Sequence, residues 1–246
     1  MSLAGLDPSG GAGLLADIKT FEALGTYGFG VCTALTVQTD TRFLSVDWLP
    51  AQQIISQAAP LLETFPVSYC KIGIIQDAAT LLEVITALMA IQPEIRIVLD
   101  PVLKASAGYA FHDTAQLTNW KKVLQQIYLL TPNYNEALLL SGMQDGDAAA
   151  RALSASCTVL LKGGHRTERQ GVDTLYLTKE GETLQVLDIP GGGNVFPKHG
   201  SGCVLSAAIT AQLAAGSSLA TACITAKLYT EKFLASHSSL LGYHNT

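Results

Sequence analysis

Apolar positions along the chain switch period repeatedly. Short runs in which nearly every residue is apolar or β-branched, such as Arg96 to Leu99 and Thr158 to Lys162, alternate with longer segments whose apolar residues recur every three or four positions. The first kind suits a strand covered on both faces, the second an amphipathic helix. Strands are predicted over Met1 to Leu6, Gly28 to Val37, Ser68 to Ile72, Arg96 to Leu99, Tyr128 to Leu130, Thr158 to Lys162, Asp173 to Leu177 and Thr183 to Ile189. Helices are predicted over Gly11 to Leu24, Ala51 to Thr64, Ala78 to Ile91, Thr114 to Leu124, Asn133 to Leu140, Asp147 to Leu153, Gly202 to Ala215 and Leu219 to Leu234. Between Val172 and Asp188 two strands joined by Lys179, Glu180 and Gly181 read as an antiparallel hairpin at one edge. Stacked βα units of this kind give an α/β fold, a three-layer α/β/α sandwich around a mostly parallel central sheet. The first strand is short, and Met1 to Leu3 are open to a reading as added sequence.

Composition narrows the class. With 246 residues, 48% of them hydrophobic and 14% charged, the chain can bury one large sheet, and no repeat or linker divides it, so residues 1–246 read as a single domain. A net charge of -5 without a basic run excludes the footprint of a nucleic-acid binder. No apolar stretch reaches the ~20 residues that span a bilayer, and no secretory or transit segment is visible. Five widely spaced cysteines without a CxxC pair point to a reducing cytoplasm.

Chemistry is expected at strand ends, because open α/β sheets bind ligands outside the carboxyl ends of their strands. Gly5-Leu6-Asp7-Pro8-Ser9-Gly10-Gly11-Ala12-Gly13 leaves the first strand and opens a helix. Within it Gly11 to Ala16 fits a dinucleotide template, which keeps a nicotinamide or flavin oxidoreductase in view, although Asp7 to Gly10 intervene where the strand should run straight into the first glycine. Lys198-His199-Gly200-Ser201-Gly202-Cys203 precedes an evident helix, whose first amides make an anion site. Cys203 in the first turn feels the helix's partial positive charge, which favours thiolate. Asp100, at the end of a strand, could hold a hydrated magnesium ion or accept hydrogen bonds from a turn. Asn133 and Glu136, in Thr131-Pro132-Asn133-Tyr134-Asn135-Glu136, could supply a second metal-directed carboxylate, form a capping box, or both. Lys162, closing an apolar strand before Gly163, Gly164 and His165, could reach a phosphate or lie exposed. No P-loop is present.

Taken in order, these motifs together with Ala16-Asp17-Ile18-Lys19-Thr20-Phe21, Thr33-Ala34-Leu35-Thr36-Val37-Gln38 and Lys71-Ile72-Gly73 resemble the hydroxymethylpyrimidine/phosphomethylpyrimidine kinases of the ribokinase superfamily. The resemblance runs from about Gly5 to Ala215. It implies a ribokinase-like fold, a cytoplasmic homodimer, and use of ATP and Mg²⁺ to phosphorylate 4-amino-5-hydroxymethyl-2-methylpyrimidine and then its monophosphate in thiamine biosynthesis. By the same resemblance Cys203 stands nearest the attacking hydroxyl, as base or as orienting group. Gly200, Ser201 and Gly202 form the anion hole, Lys162 holds ATP phosphates, and Asp100, Asn133 and Glu136 organise magnesium. Gly5, Asp17, Thr36, Gln38 and Ile74 contact the pyrimidine, with the Gln38 amide offering a donor and an acceptor to the aminopyrimidine edge. Leu6, Ile74 and Thr39 to Arg42 depart from the family pattern around that pocket. Pyridoxal kinase, which also phosphorylates a hydroxymethyl group on a flat heterocycle, is the nearest enzyme alternative. A non-catalytic pyrimidine-binding relative is the other, against which the Asp100, Glu136, Lys162 and Gly200 to Cys203 set argues.

Overall fold

The protein was analysed as a computed structural model, which describes residues 1–103, 117–164, 169–177, 185–193 and 195–244. In chain order the elements are β1 (Ser2–Leu6), α1 (Gly13–Ala23), β2 (Gly30–Gln38), β3 (Phe43–Trp48), α2 (Ala51–Thr64), β4 (Tyr69–Ile72), α3 (Ala78–Ile91), β5 (Arg96–Leu99), α4 (Leu117–Leu124), β6 (Leu129–Leu130), α5 (Tyr134–Ser141), α6 (Gly146–Leu153), β7 (Thr158–Leu161), β8 (Asp173–Leu177), β9 (Gln185–Ile189), α7 (Ser201–Ala214) and α8 (Leu219–Ala235). Residues 114–116 and 183–184 of the predicted elements, the hairpin turn at Lys179 to Gly181, and His165 lie outside the described residues.

The strands form one sheet in the order β3-β2-β1-β4-β5-β6-β7-β8-β9. Strands β2, β1, β4, β5, β6 and β7 pair in parallel, and β8 and β9 close one edge antiparallel. The other edge is antiparallel too, because β3 pairs with β2. No strand was predicted at Phe43 to Trp48: an edge strand has one neighbour, so Leu44, Ser45 and Asp47 stay exposed and the apolar run is broken.

Side chains of the central strands alternate between two cores, as the two-residue strand period requires. Ile97 and Leu99, Leu130, and Val159 and Leu161 join the core under α2 to α6, whereas Val98, Leu129 and Leu160 join the core under α7 and α8. Met1 and Leu3 belong to the first of these, so the opening residues are built into the fold. Chain order reverses at β1, whose neighbours are β2 on one side and β4 on the other. A crevice forms at such a switch point beyond the strand ends.

After α8 the chain folds back over the loop that leads into α7. His199 N donates to the Leu240 carbonyl at 2.9 Å, and the Lys198 ammonium donates to the carbonyls of His237 and Ser239. His244 closes this segment against Thr20 and Tyr229 at 3.3 and 3.1 Å. Burial, assisted by Lys19, pulls its imidazole down to about 4. An unfolded histidine titrates near ~6.5, so between those values the unfolded chain binds the extra proton and stability falls as pH falls. Thermal unfolding should therefore show Tm decreasing from pH 7 to pH 5 more steeply in the native chain than in His244→Asn; parallel curves would contradict it.

Candidate active site

The carboxyl ends of β1, β4, β5, β6 and β7 all open on one cleft of about 600 Å³, which the start of α7 enters from the opposite face. Asp100 ends β5 and is nearly fully buried. Lys162, just past β7, donates to Asp100 Oδ1 at 2.7 Å and lies 3.9 Å from Glu136 Oε2. Ser206 Oγ of α7 reaches Asp100 Oδ2 at 3.2 Å. Three strand ends and one helix thus hold a lysine between two carboxylates.

Charge in this cluster is unevenly balanced. Burial alone would lower the Lys162 ammonium, and Asp100 and Glu136 more than reverse that, so it stays cationic. Burial pushes the Glu136 carboxyl up to about 7 against the pull of Lys162, with Asp100 adding to the rise. Asn133 and Glu136 do form the capping box: Glu136 N donates to Asn133 Oδ1 at 2.9 Å, and Asn133 N to Glu136 Oε2 at 2.7 Å. The Asn133 carbonyl oxygen is therefore already engaged. A carboxylate that burial and a like charge both destabilise is where a further cation would be favoured. Among the described residues no group of three or more His, Cys, Asp or Glu gathers to hold an ion by itself. The donor set suits a hard ion that keeps most of its water and takes one or two carboxylates, as magnesium does.

Facing Lys162 is the start of α7. Gly200 caps the helix with φ 77°, and the first intrahelical bond runs from Val204 N to the Gly200 carbonyl at 3.0 Å. Amides of Ser201, Gly202 and Cys203 precede that bond, as the first amides of any helix do, and are available to an anion. A Cβ on Gly202 would lie 3.1 Å from Lys162 Nζ, which is how closely the helix start approaches the lysine. The first glycine loop packs against this cradle, with Gly200 abutting Gly11 and Ala12.

Cys203 sits in the first turn of α7 and is partly exposed. The expected thiolate does not result: burial pushes its thiol up to about 11, Asp17 and Asp100 adding to the rise and Lys71 opposing it. Burial by the surrounding protein thus favours the thiol form, against the pull of Lys71.

The residues expected at the heterocycle separate into two groups. Gly5, Gln38 and Ile74 line the cleft. Gly5 leaves room that Ile74 fills, a Cβ at Gly5 lying 2.8 Å from Ile74 Cγ1. Gln38 Nε2 donates to Thr36 Oγ1 at 2.8 Å, which orients its amide. Asp17 and Thr36 do not line the cleft. Thr36 is buried and donates to the Leu6 carbonyl at 2.8 Å. Asp17, fully buried, takes the Lys71 ammonium on both oxygens at 2.6 Å and the Ser2 hydroxyl on Oδ2 at 2.6 Å. Burial would lower the Lys71 ammonium, and Asp17 overrides it. Asp17 is thus engaged by Lys71 and Ser2.

Several cleft residues carried no sequence signal as ligand contacts. Lys227, Thr230 and Glu231 of α8 line its far end, where Lys227 Nζ stands 3.1 Å from Asp173 Oδ2. Lys71 could have been singled out, since a lysine inside an otherwise apolar parallel strand demands a buried partner.

Known proteins resemble this chain along nearly its full length. The family described as phosphomethylpyrimidine kinase matches residues 7–246. A hydroxymethylpyrimidine/phosphomethylpyrimidine kinase of Rhizobium meliloti is 35% identical over 239 residues, covering 93% of this chain and 87% of that protein. The solved phosphomethylpyrimidine kinase of Clostridium difficile 630 is 32% identical with a TM-score of 0.76, covering 93% of this chain and 96% of that one. A Staphylococcus aureus pyridoxal kinase in complex with AMP-PCP reaches a TM-score of 0.83 at 26% identity, covering 99% and 92%. With the ribokinase-like sheet, the lysine between two carboxylates and the family's match along nearly the full length, the chain belongs to the phosphomethylpyrimidine kinase family.

Proposed function

We propose that this enzyme transfers the γ-phosphoryl group of ATP to the hydroxymethyl group of 4-amino-5-hydroxymethyl-2-methylpyrimidine, and then phosphorylates the monophosphate, in thiamine biosynthesis. The observation that carries the reading is the Lys162 ammonium, 2.7 Å from Asp100 and 3.9 Å from Glu136, facing the free amides of Ser201, Gly202 and Cys203. Phosphoryl transfer asks chiefly for positioning and for positive charge around the transferred group. Lys162 and the α7 amides supply both from opposite walls. Asp100 and Glu136, with Asn133 behind them, would hold Mg²⁺, which when bound offsets charge on the phosphate oxygens.

At the other end, Gln38 gives one Nε2 hydrogen to Thr36, which leaves its carbonyl oxygen and its second N–H as acceptor and donor for the aminopyrimidine edge. Cys203, a thiol, orients the attacking hydroxyl, and a loose transition state makes little demand on a base. The reading includes a homodimer in the cytoplasm, with size-exclusion chromatography as the check on assembly. Five free cysteines agree with that compartment.

Pyridoxal kinase is the second reading, favoured by the TM-score of 0.83 to the Staphylococcus aureus enzyme. A coupled ADP-release assay with Mg-ATP, offering hydroxymethylpyrimidine, its monophosphate and pyridoxal in parallel, decides between them. Turnover of both pyrimidines with weak pyridoxal turnover is expected, whereas pyridoxal preference would reassign the substrate and no turnover would leave a ligand-binding relative. Cys203→Ala should lower kcat about tenfold, less than the ~10²–10⁴ expected of a general base. A loss in that larger range, with a pH profile that shifts in Cys203→Ser, would restore the base role.

A further inference from the structure

Asp7 has an unusual load for a loop residue. Its Oδ1 accepts Ser9 N at 2.9 Å, while Oδ2 accepts Ser9 Oγ at 2.8 Å, Ala12 N at 3.0 Å and His199 Nε2 at 2.8 Å. Four donors on two oxygens match the capacity of an ionised carboxylate and of no neutral side chain. Burial alone would raise the Asp7 carboxyl, and the bonds from His199 and Ser9 bring it below its ordinary value, so it is charged at neutral pH.

His199 is the residue before Gly200, and Asp7 lies in the loop that leads from β1 to Gly13. Their bond joins segments 192 residues apart in sequence. Both rings of contact close there: a Cβ on Gly11 would lie 2.8 Å from His199 Cδ2 and 2.7 Å from Leu241 Cδ2, and Gly200 abuts Gly11 and Ala12. The other imidazole nitrogen, Nδ1, is buried without a hydrogen-bond partner among the described residues, so the ring directs its polar interaction to Asp7 alone. His199 N is meanwhile tied to the Leu240 carbonyl at 2.9 Å, which fixes the backbone from behind.

We propose that Asp7 and His199 are a positioning pair that locks the two glycine loops into a single anion cradle, setting where the amides of Ser201, Gly202 and Cys203 stand relative to Lys162. The pair touches the loops and acts on the phosphoryl group only through them. The proposal rests on the phosphoryl-transfer reading for its kinetic consequence. Small displacements of preorganised donors cost rate with little change in ground-state binding.

Three full-length variants test it. His199→Gln places an amide donor near the position of Nε2, whereas His199→Ala and Asp7→Ala break the bond by removing the donor or the acceptor. Expected are a kcat about tenfold lower in His199→Ala and Asp7→Ala, KM for ATP and acceptor within about threefold, and His199→Gln within about threefold of the native chain. Unchanged kcat in His199→Ala, a loss confined to KM, or His199→Gln no better than His199→Ala would each overturn the proposal. Amide hydrogen exchange supplies a readout independent of turnover. In His199→Ala, exchange should accelerate at the bonded amides of Gly10, Gly11 and Ala12 as well as at those of residue 199 and Val204, and His199→Gln should restore both. Exchange confined to the Gly200 side would refute a lock between the loops. If the native chain turns over no substrate, the kinase reading fails and the exchange result still decides this one.

Discussion

Replacing Gly200 with alanine is expected to lower kcat by about 10²-fold or more, the range seen when one preorganised oxyanion donor is lost. Gly200 has φ 77°, a conformation that costs an L-residue roughly 1–2 kcal/mol. A Cβ there would also strike the Gly11 carbonyl oxygen and stand 2.7 Å from Ala12 Cα. No flexible side chain can yield, because the obstacles are the Gly11 and Ala12 backbone and the Ala12 Cβ fixed to it. Either the two glycine loops separate or α7 starts one residue later, and in both cases the amides facing Lys162 move. Gly192→Ala is the control, since a Cβ at Gly192 meets nothing within 4 Å. The pair of variants is compared by coupled ADP release and by Tm. Native turnover in a folded Gly200→Ala would mean that the α7 start does not contact the transferred group.

What the sequence disclosed of the fold follows from how strongly each segment was constrained. Ala51–Thr64 and Ala78–Ile91 agree with prediction to the residue, the second because Asp77 accepts Thr80 N as a side-chain cap and buried apolar residues recur at Leu81, Val84, Ile85 and Leu88. Strand β3 escaped notice because its edge position removes the two-sided burial on which a strand is recognised. At the site, motifs at strand ends placed Asp100, Glu136 and Lys162 together, as topology alone brings parallel strand ends to one edge. Orientation within a helix was not legible. Asp17 lies on the buried face of α1, and only the three-dimensional register shows Lys71 of β4 within reach of it. Likewise the helix-dipole argument for Cys203 considers only the first turn of α7, whereas the burial that pushes its thiol up comes from packing that local sequence does not contain. Asp7 and His199 were visible as letters inside two motifs, but their partnership spans nearly the whole chain.

The largest stability effect is expected at the buried pair beneath the cleft. Lys71→Met leaves the Asp17 carboxylate with only the Ser2 hydroxyl in a site where neither side chain has any exposure. Breaking a buried pair on one side costs about 3–5 kcal/mol, because a buried charge loses its counter-charge. Removing both charges with Lys71→Met and Asp17→Leu should recover most of that loss, since a paired charge gains little over apolar packing. Denaturant unfolding of the single and double variants measures the coupling. A single variant within about 1 kcal/mol of the native chain would show that the pair is not ionised in the folded protein, and would overturn the assignment of Lys71 as a cation. The double variant separates folding from function. Lys71 lies beneath the cleft and opposes the upward push on the Cys203 thiol, so restored stability with turnover still depressed would show that the pair is kept for the field it sets under the cleft rather than for the fold.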